Sequence, residues 1–198
     1  MIGMGANLTA TRTVRDGPLT RRPPETIRFG TGRCPLGALL VASSARGIVS
    51  IIVRDTQARL IRDLGARFPK ARLLRDEAAS KAAVARVARY IAAPLRPFPL
   101  PLDIRGTELQ RRVWEAVRKI PFGATSTYSA IAAAIGAPKA IRAVAGACSR
   151  SAFAFAVPCH RVLHKSPNLR RGRQYRWVAY EAKLRAGRIP GRADRQGA

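Results

Sequence analysis

Acids, cysteines and histidines are scarce in this 198-residue chain. Eleven Asp and Glu stand against 37 Lys and Arg, a formal charge of +26. Cysteine occurs only at Cys34, Cys148 and Cys159, widely spaced and with no C-x-x-C pair, which argues against a disulfide framework and against a structural zinc site. Two histidines, His160 and His164, leave a metal site short of ligands. Long apolar runs are missing as well. Nothing approaches the ~18 uninterrupted apolar residues of a membrane helix, and the first twenty residues hold no apolar signal core. A cytoplasmic chain with no membrane association is expected. What is present suffices for a core: 47% of residues are apolar, which excludes wholesale disorder, and the length suits one ordinary domain or two small ones.

The excess of positive charge attracts polyanions, and DNA or RNA is the first candidate. A GC-rich genome that favours Arg codons would raise the same count, so charge alone does not decide. Its distribution adds something. From residue 137 onward, 14 Lys and Arg face only Glu181 and Asp194.

Residues 1–25 mix Thr, Arg, Gly and Pro without periodicity and read as a flexible basic arm. Segments 27–29, 36–42 and 47–53 read as strands, the last two split by the turn-forming Ser43-Ser44-Ala45-Arg46. Leu60, Ile61, Leu64 and Phe68 recur at helical spacing over 57–68, and Val84, Val87 and Ile91 over 78–92. Pro94, Pro97, Pro99 and Pro101 then exclude helix and central strand and mark a boundary near 95–101.

The remainder is mostly helical. Thr107-Glu108-Leu109-Gln110 is a capping box, in which the Thr hydroxyl and the Gln amide satisfy orphan backbone groups. Behind it Leu109, Val113, Ala116, Val117 and Ile120 form one apolar face. Thr127 can cap a short helix over 128–135, stopped by Gly136, and Pro138 suits the start of a second over 137–147. Two short helices around a tight Gly turn read as a helix-turn-helix whose second helix carries Lys139 and Arg142.

The apolar run 152–157 ends in Pro158-Cys159-His160-Arg161-Val162. Thiolate is the nucleophilic form of cysteine, and a neighbouring base or cation favours it over a thiol of ordinary pKa ~8.5. A His that removes the proton, directly or through a water, makes Cys159 an attacking group at neutral pH. A bare Cys-His pair is otherwise an inert small hydrophobe beside a surface His.

The longer string decides between these. Pro158-Cys159-His160-Arg161-Val162 resembles the active-site motif of the O6-alkylguanine-DNA alkyltransferases. In the same order, Leu102-Asp103-Ile104-Arg105-Gly106-Thr107, Val113-Trp114, Ile120-Pro121-Phe122-Gly123, Thr127-Tyr128 and 140–148 resemble that family too. Glu25-Thr26-Ile27-Arg28-Phe29 and Cys34-Pro35-Leu36-Gly37 resemble the start of the C-terminal half of Ada-type proteins. The resemblance covers roughly 25–185.

It implies an α+β fold: a small N-terminal antiparallel-sheet domain over 26–95, then a helical helix-turn-helix DNA-binding and alkyltransferase domain over 96–187, with a basic tail over 188–198. It also implies repair without a cofactor. A flipped-out O6-alkylguanine in double-stranded DNA, with O4-methylthymine as a further candidate, gives its alkyl group to the protein once. Cys159 matches the acceptor, and His160 the residue that takes the thiol proton. Tyr128 matches the tyrosine that assists flipping and donates a proton to O6, a role suited to a phenol of pKa ~10. Arg142 matches the arginine that fills the gap in the base stack. Lys139, Ser129 and Lys165 fall near the DNA backbone, while Ser151, Arg161 and Tyr175 support the site. A monomer is expected.

Three departures stand out. Ser151 occupies a position where the family carries Asn, with less reach and fewer donors. The family's Glu that holds the His has no clear counterpart, since Glu181 falls about two helical turns early by direct alignment. The segment 163–176 is longer and more basic than usual. These departures motivate a rival reading, an alkylated-DNA-binding module with weak or no transfer, against which the retained Cys159 argues; separate alternatives are a remnant of a larger Ada-type regulator and a Cys-His hydrolase, which no oxyanion-hole motif supports.

Overall fold

The computed structural model describes residues 24–166 and 173–187. The arm expected over 1–25 lies outside these residues except at its last two positions, as do the tail over 188–198 and the middle of the basic segment 163–176.

Three consecutive strands, β1 (Thr26–Cys34), β2 (Gly37–Ser44) and β3 (Gly47–Arg54), form an antiparallel meander. The helix α1 (Gln57–Arg67) leads to β4 (Arg72–Arg75), and α2 (Glu77–Ala92) follows. The sheet order is β3-β2-β1-β4, with β4 parallel to β1, so the sheet is mixed rather than wholly antiparallel. Four residues, Arg-Leu-Leu-Arg, gave no strand signal in the sequence. The crossover through α1 is what returns the chain parallel to β1.

Each face of the sheet has its own apolar layer. Ile27, Phe29, Leu40, Ala42, Val49 and Ile52 pack under Leu60 and Leu64 of α1. Leu39, Val41, Ile48, Ile51 and Val53 face the other way, onto α2 and the helical half. A bulge opposite Ala42 and Ser43 shifts the alternation in β3, which lets Ile48 and Ile51 share a face. β1 runs further than its apolar residues suggest because Gly30 and Gly32 let α2 approach. A Cβ at Gly30 would lie 2.5 Å from the Ser80 Cβ, so these glycines mark close helix packing, not a strand end.

The proline-rich segment lies along the outer edge of β3. Ile48 donates to Pro101 O (2.9 Å) and accepts from Asp103 N (2.8 Å). Further along the same edge, Ile51 donates to Ala152 O (2.8 Å) and accepts from Ala154 N (3.0 Å). Two distant segments thus satisfy the groups an edge strand would leave open.

The helical half comprises α3 (Glu108–Arg118), α4 (Tyr128–Ala134), α5 (Ile141–Arg150) and α6 (Arg173–Arg185). Thr107 and Gln110 form the expected capping box, and the Thr127 hydroxyl caps α4 by accepting from Ala130 N (3.1 Å). Gly136, at φ 68°, makes the turn after α4. α5 starts later than Pro138 suggests. Pro138 instead occupies the second position of a turn closed by Ala140 N donating to Ala137 O (2.9 Å), a position that its fixed φ favours. Lys139 therefore sits on the turn before α5, not on the helix, while Arg142 is in the first turn of α5.

Candidate active site

The chain reaches Cys159 by a constrained path. After Ala152–Ala154 on the β3 edge, Phe155 adopts φ 63°, the only positive φ outside glycine among the described residues. Such a conformation costs on the order of 1–3 kcal/mol and survives where packing enforces it. Here the buried Phe155 ring lies against His160 (4.6 Å between centroids) and Trp177 (5.0 Å). Val157 N donates to Phe153 O (3.1 Å), Cys159 N to Val157 O (2.7 Å), and a 3-10 turn, Cys159–Arg161, follows.

His160 is buried beside the half-buried Cys159. Its Nε2 lies 2.9 Å from Glu181 Oε1. An ionised carboxylate can only accept, so Nε2 carries the proton and Nδ1 keeps its lone pair. Nδ1 is itself buried and has no hydrogen-bond partner among the described residues. Burial lowers the His160 pKa, with Glu181 opposing, so the ring is neutral and basic at Nδ1 near pH 7. Glu181 also accepts from Arg161 at both oxygens (Nε to Oε2 2.9 Å, Nη2 to Oε1 2.8 Å), and Arg161 Nη1 donates to Ile120 O (2.7 Å). Burial works against the Glu181 charge, but the His160 and Arg161 hydrogen bonds prevail and hold its pKa below the usual range.

This corrects the sequence reading, which could not assign a carboxylate partner to His160. Counting along the chain places Glu181 too early. In space, α6 turns Trp177, Tyr180, Glu181 and Leu184 inward at helical spacing, and that face delivers the carboxylate to His160.

Ser151, just past α5, accepts from Phe153 N (3.4 Å) and lines one cavity with Cys159. Cys148, in the last turn of α5, was read from the sequence only as part of a motif. It lines the same cavity as Cys159. The neighbouring Cys148 thiol and then burial push the Cys159 thiol well above its ordinary range, Ser151 acting in the opposite sense, while Cys159 lowers Cys148. The two titrate as a pair. Below its raised pKa the Cys159 thiol keeps its proton, and the thiolate fraction grows about tenfold per pH unit. His160, already neutral, adds no opposing trend. Any reaction at this sulfur should accelerate from about pH 7 to 9; alkylation of Cys159 by iodoacetamide at a series of pH values measures this, and a flat profile would contradict it.

Tyr128 begins α4. Its approach to the Cys159 turn comes from two short strands, β5 (Ser126–Thr127) and β6 (Val162–Leu163), which pair in parallel. The Tyr128 ring meets the His164 ring edge-on at 5.3 Å. Ser129, Lys139, Arg142 and Lys165 are exposed. Ile141, beside Arg142, is 43% exposed, and the start of α5 has no side-chain cap. Tyr175 lies on α6 with its hydroxyl buried and unpartnered among the described residues. No cluster of three or more potential metal ligands is found among the described residues.

Residues 108–186 match the family model described as 6-O-methylguanine DNA methyltransferase, DNA binding domain. A methylated-DNA–protein-cysteine methyltransferase of Mycolicibacterium paratuberculosis is 38% identical over 143 residues, covering 72% of this chain and 82% of that protein. The chain belongs to the methylated-DNA–protein-cysteine methyltransferase family. Within that family, it resembles the structure of Mycobacterium tuberculosis OGT in complex with DNA at TM-score 0.66 and 32% identity, over 82% of this chain and 95% of that one. It is also 43% identical, over 80% of its length, to the Escherichia coli bifunctional transcriptional activator/DNA repair enzyme Ada, and spans 44% of that larger protein.

Proposed function

We propose that the protein repairs alkylated double-stranded DNA by taking the alkyl group of O6-methylguanine onto Cys159, once per molecule and as a monomer, with O4-methylthymine as a second substrate. The observation that carries this reading is the buried His160–Glu181 pair that directly follows Cys159, in a member of a family whose relatives are named for that transfer. His160 Nδ1 receives the thiol proton, directly or through one water. The sulfur lone pair forms a bond to the methyl carbon as the carbon–O6 bond breaks and its electrons pass to the base. Tyr128 gives the guanine a proton, and the proton lost by the thiol restores Tyr128. A thioether is a poor leaving group, so the protein is spent. Among the rival readings, the non-transferring module drew support from three departures, and Glu181 removes one of them, the absent Glu.

On the DNA side, α5 would enter the duplex with Arg142 replacing the extruded base. Lys139, Ser129 and Lys165 would meet phosphates, as would the uncapped N–H groups at the start of α5.

Incubation with a duplex carrying labelled O6-methylguanine tests the reading. One methyl per protein, on the Cys159 peptide, is expected, and none in Cys159→Ala. Label on Cys34 or Cys148, or many turnovers per molecule, would overturn it.

A further inference from the structure

We propose that Arg67, at the end of α1, is a positioning residue for Cys159: by holding the end of α5 it fixes the turn that presents the sulfur. Arg67 Nη1 donates to Arg150 O (2.8 Å) and Nη2 to Ser151 O (3.4 Å). These carbonyls close α5, where a helix leaves its last acceptors without intrahelical partners and its dipole favours a cation. The next carbonyl is held from the same half of the molecule. Ala152 O accepts from Ile51 N (2.8 Å) and from the Ser50 hydroxyl (3.2 Å). Successive carbonyls at 150, 151 and 152 are thus each bound by a group from the sheet domain, at the start of the run that leads to Cys159. Arg67 is available for this because Asp63, one turn earlier on α1, pairs with Arg54. The helix itself is fixed by Leu60 and Leu64, buried against the sheet.

The turn needs a hold from outside. Phe155 sits at φ 63°, a conformation that persists only where its surroundings enforce it. Within the turn, the Ser151 hydroxyl supplies one hydrogen bond, from Phe153 N at 3.4 Å, which is long for a bond of this kind. Two donors on a charged guanidinium contribute more than that single contact. Arg67, Ser151 and Cys159 also line one cavity of about 240 Å³, so slack at the end of α5 reaches the surroundings of the sulfur. Tyr128, Lys139 and Arg142 take no part in that cavity, and Arg67 belongs to α1, not to the helix-turn-helix. Its effect is therefore on where the sulfur sits, not on how tightly DNA is held.

The consequence for repair rests on Cys159 being the acceptor; the hold on the turn does not. Arg67→Met keeps an unbranched side chain and loses the donors. Its single-turnover methyl transfer at saturating duplex is expected to fall about 10-fold or more, and by the same factor with free O6-benzylguanine. Affinity for unmodified duplex should change less than about twofold, the pattern of a lost placement and not of lost binding. Iodoacetamide alkylation of Cys159 at pH 7 should move the other way and rise at least about twofold, because a loosened turn relieves the burial that keeps the thiol protonated. Arg67→Lys, which retains a cation with donors, should lose less transfer than Arg67→Met. Ile27→Val trims a buried core residue elsewhere in the sheet domain; it should lower the denaturant midpoint and leave both rates at Cys159 unchanged. Transfer or alkylation in Arg67→Met equal to the parent's, duplex affinity that falls in step with transfer, or the same rate changes in Ile27→Val would each overturn the proposal. A parent unable to transfer methyl would instead overturn the repair reading, and the alkylation rates of the variants would still decide whether Arg67 holds the turn.

Discussion

Glu181→Ala is expected to cost about 3–5 kcal/mol of folding stability, because it strands the buried Arg161 guanidinium without its carboxylate. In denaturant the midpoint should fall while the slope stays unchanged. Glu181→Gln keeps the packing but not the charge, so it too should lose part of that stability. A neutral amide fills the space but no longer fixes the proton on His160 Nε2, and the ring loses the charge that offsets its burial. Methyl transfer at pH 7 should then drop about 10–100-fold or more, as when the carboxylate that orients a catalytic His is neutralised. Stability supplies a second readout. A carboxylate whose pKa is lowered by folding contributes stability above its ordinary value of 4.5 and loses it as pH falls through the lowered value. That acid-side loss should be weaker in Glu181→Gln. A variant with the parent's transfer rate and acid profile would sink the assignment.

Arg142→Ala should divide the substrates. Extruding a base from a duplex costs a few kcal/mol of unstacking and unpairing, and Arg142, exposed in the first turn of α5, is placed to offset part of it. Losing about 1.4–2.8 kcal/mol would slow transfer from duplex O6-methylguanine about 10–100-fold. Free O6-benzylguanine needs no extrusion, so its reaction with Cys159 should change less than about twofold. Single-turnover rates on both substrates, at one salt concentration, make the comparison. Equal losses would refute the role in flipping.

Sequence legibility followed the range of the forces involved. Local signals held: the Thr107–Gln110 capping box, the Thr127 cap and the two long helices of the N-terminal half all stand where propensity and spacing put them. Pro138 was legible as a constraint but not as to which one, since the same fixed φ serves a helix start and a turn. β4 was missed because four residues with charged ends carry no periodicity, and its pairing with β1 is set by the α1 crossover. At the site, Cys159, His160 and Arg161 could be picked from one string. Glu181 and Cys148 could not, because each arrives on a separate helix and its distance from Cys159 is a property of packing. Helical phase on α6 was the available signal: the inward side that carries Trp177 and Leu184 also carries Glu181.

The doubly covered edge of β3 has a consequence for how the chain can be rewired. Leu102 and Phe153 come from segments some fifty residues apart, yet both are stitched to the same strand, at Ile48 and Ile51. The join between the sheet and the helices is therefore backbone pairing on top of a shared apolar core, not a tether. Extra residues spliced in beside Leu95, which is 73% exposed, would only lengthen a surface excursion. The same insert a few positions later, between Pro101 and Asp103, would slip one stitch against the other and drag the nucleophile's turn with it. Cut or extended at the first place, the protein should remain one machine; at the second, the helices should lose their fixed register on the sheet.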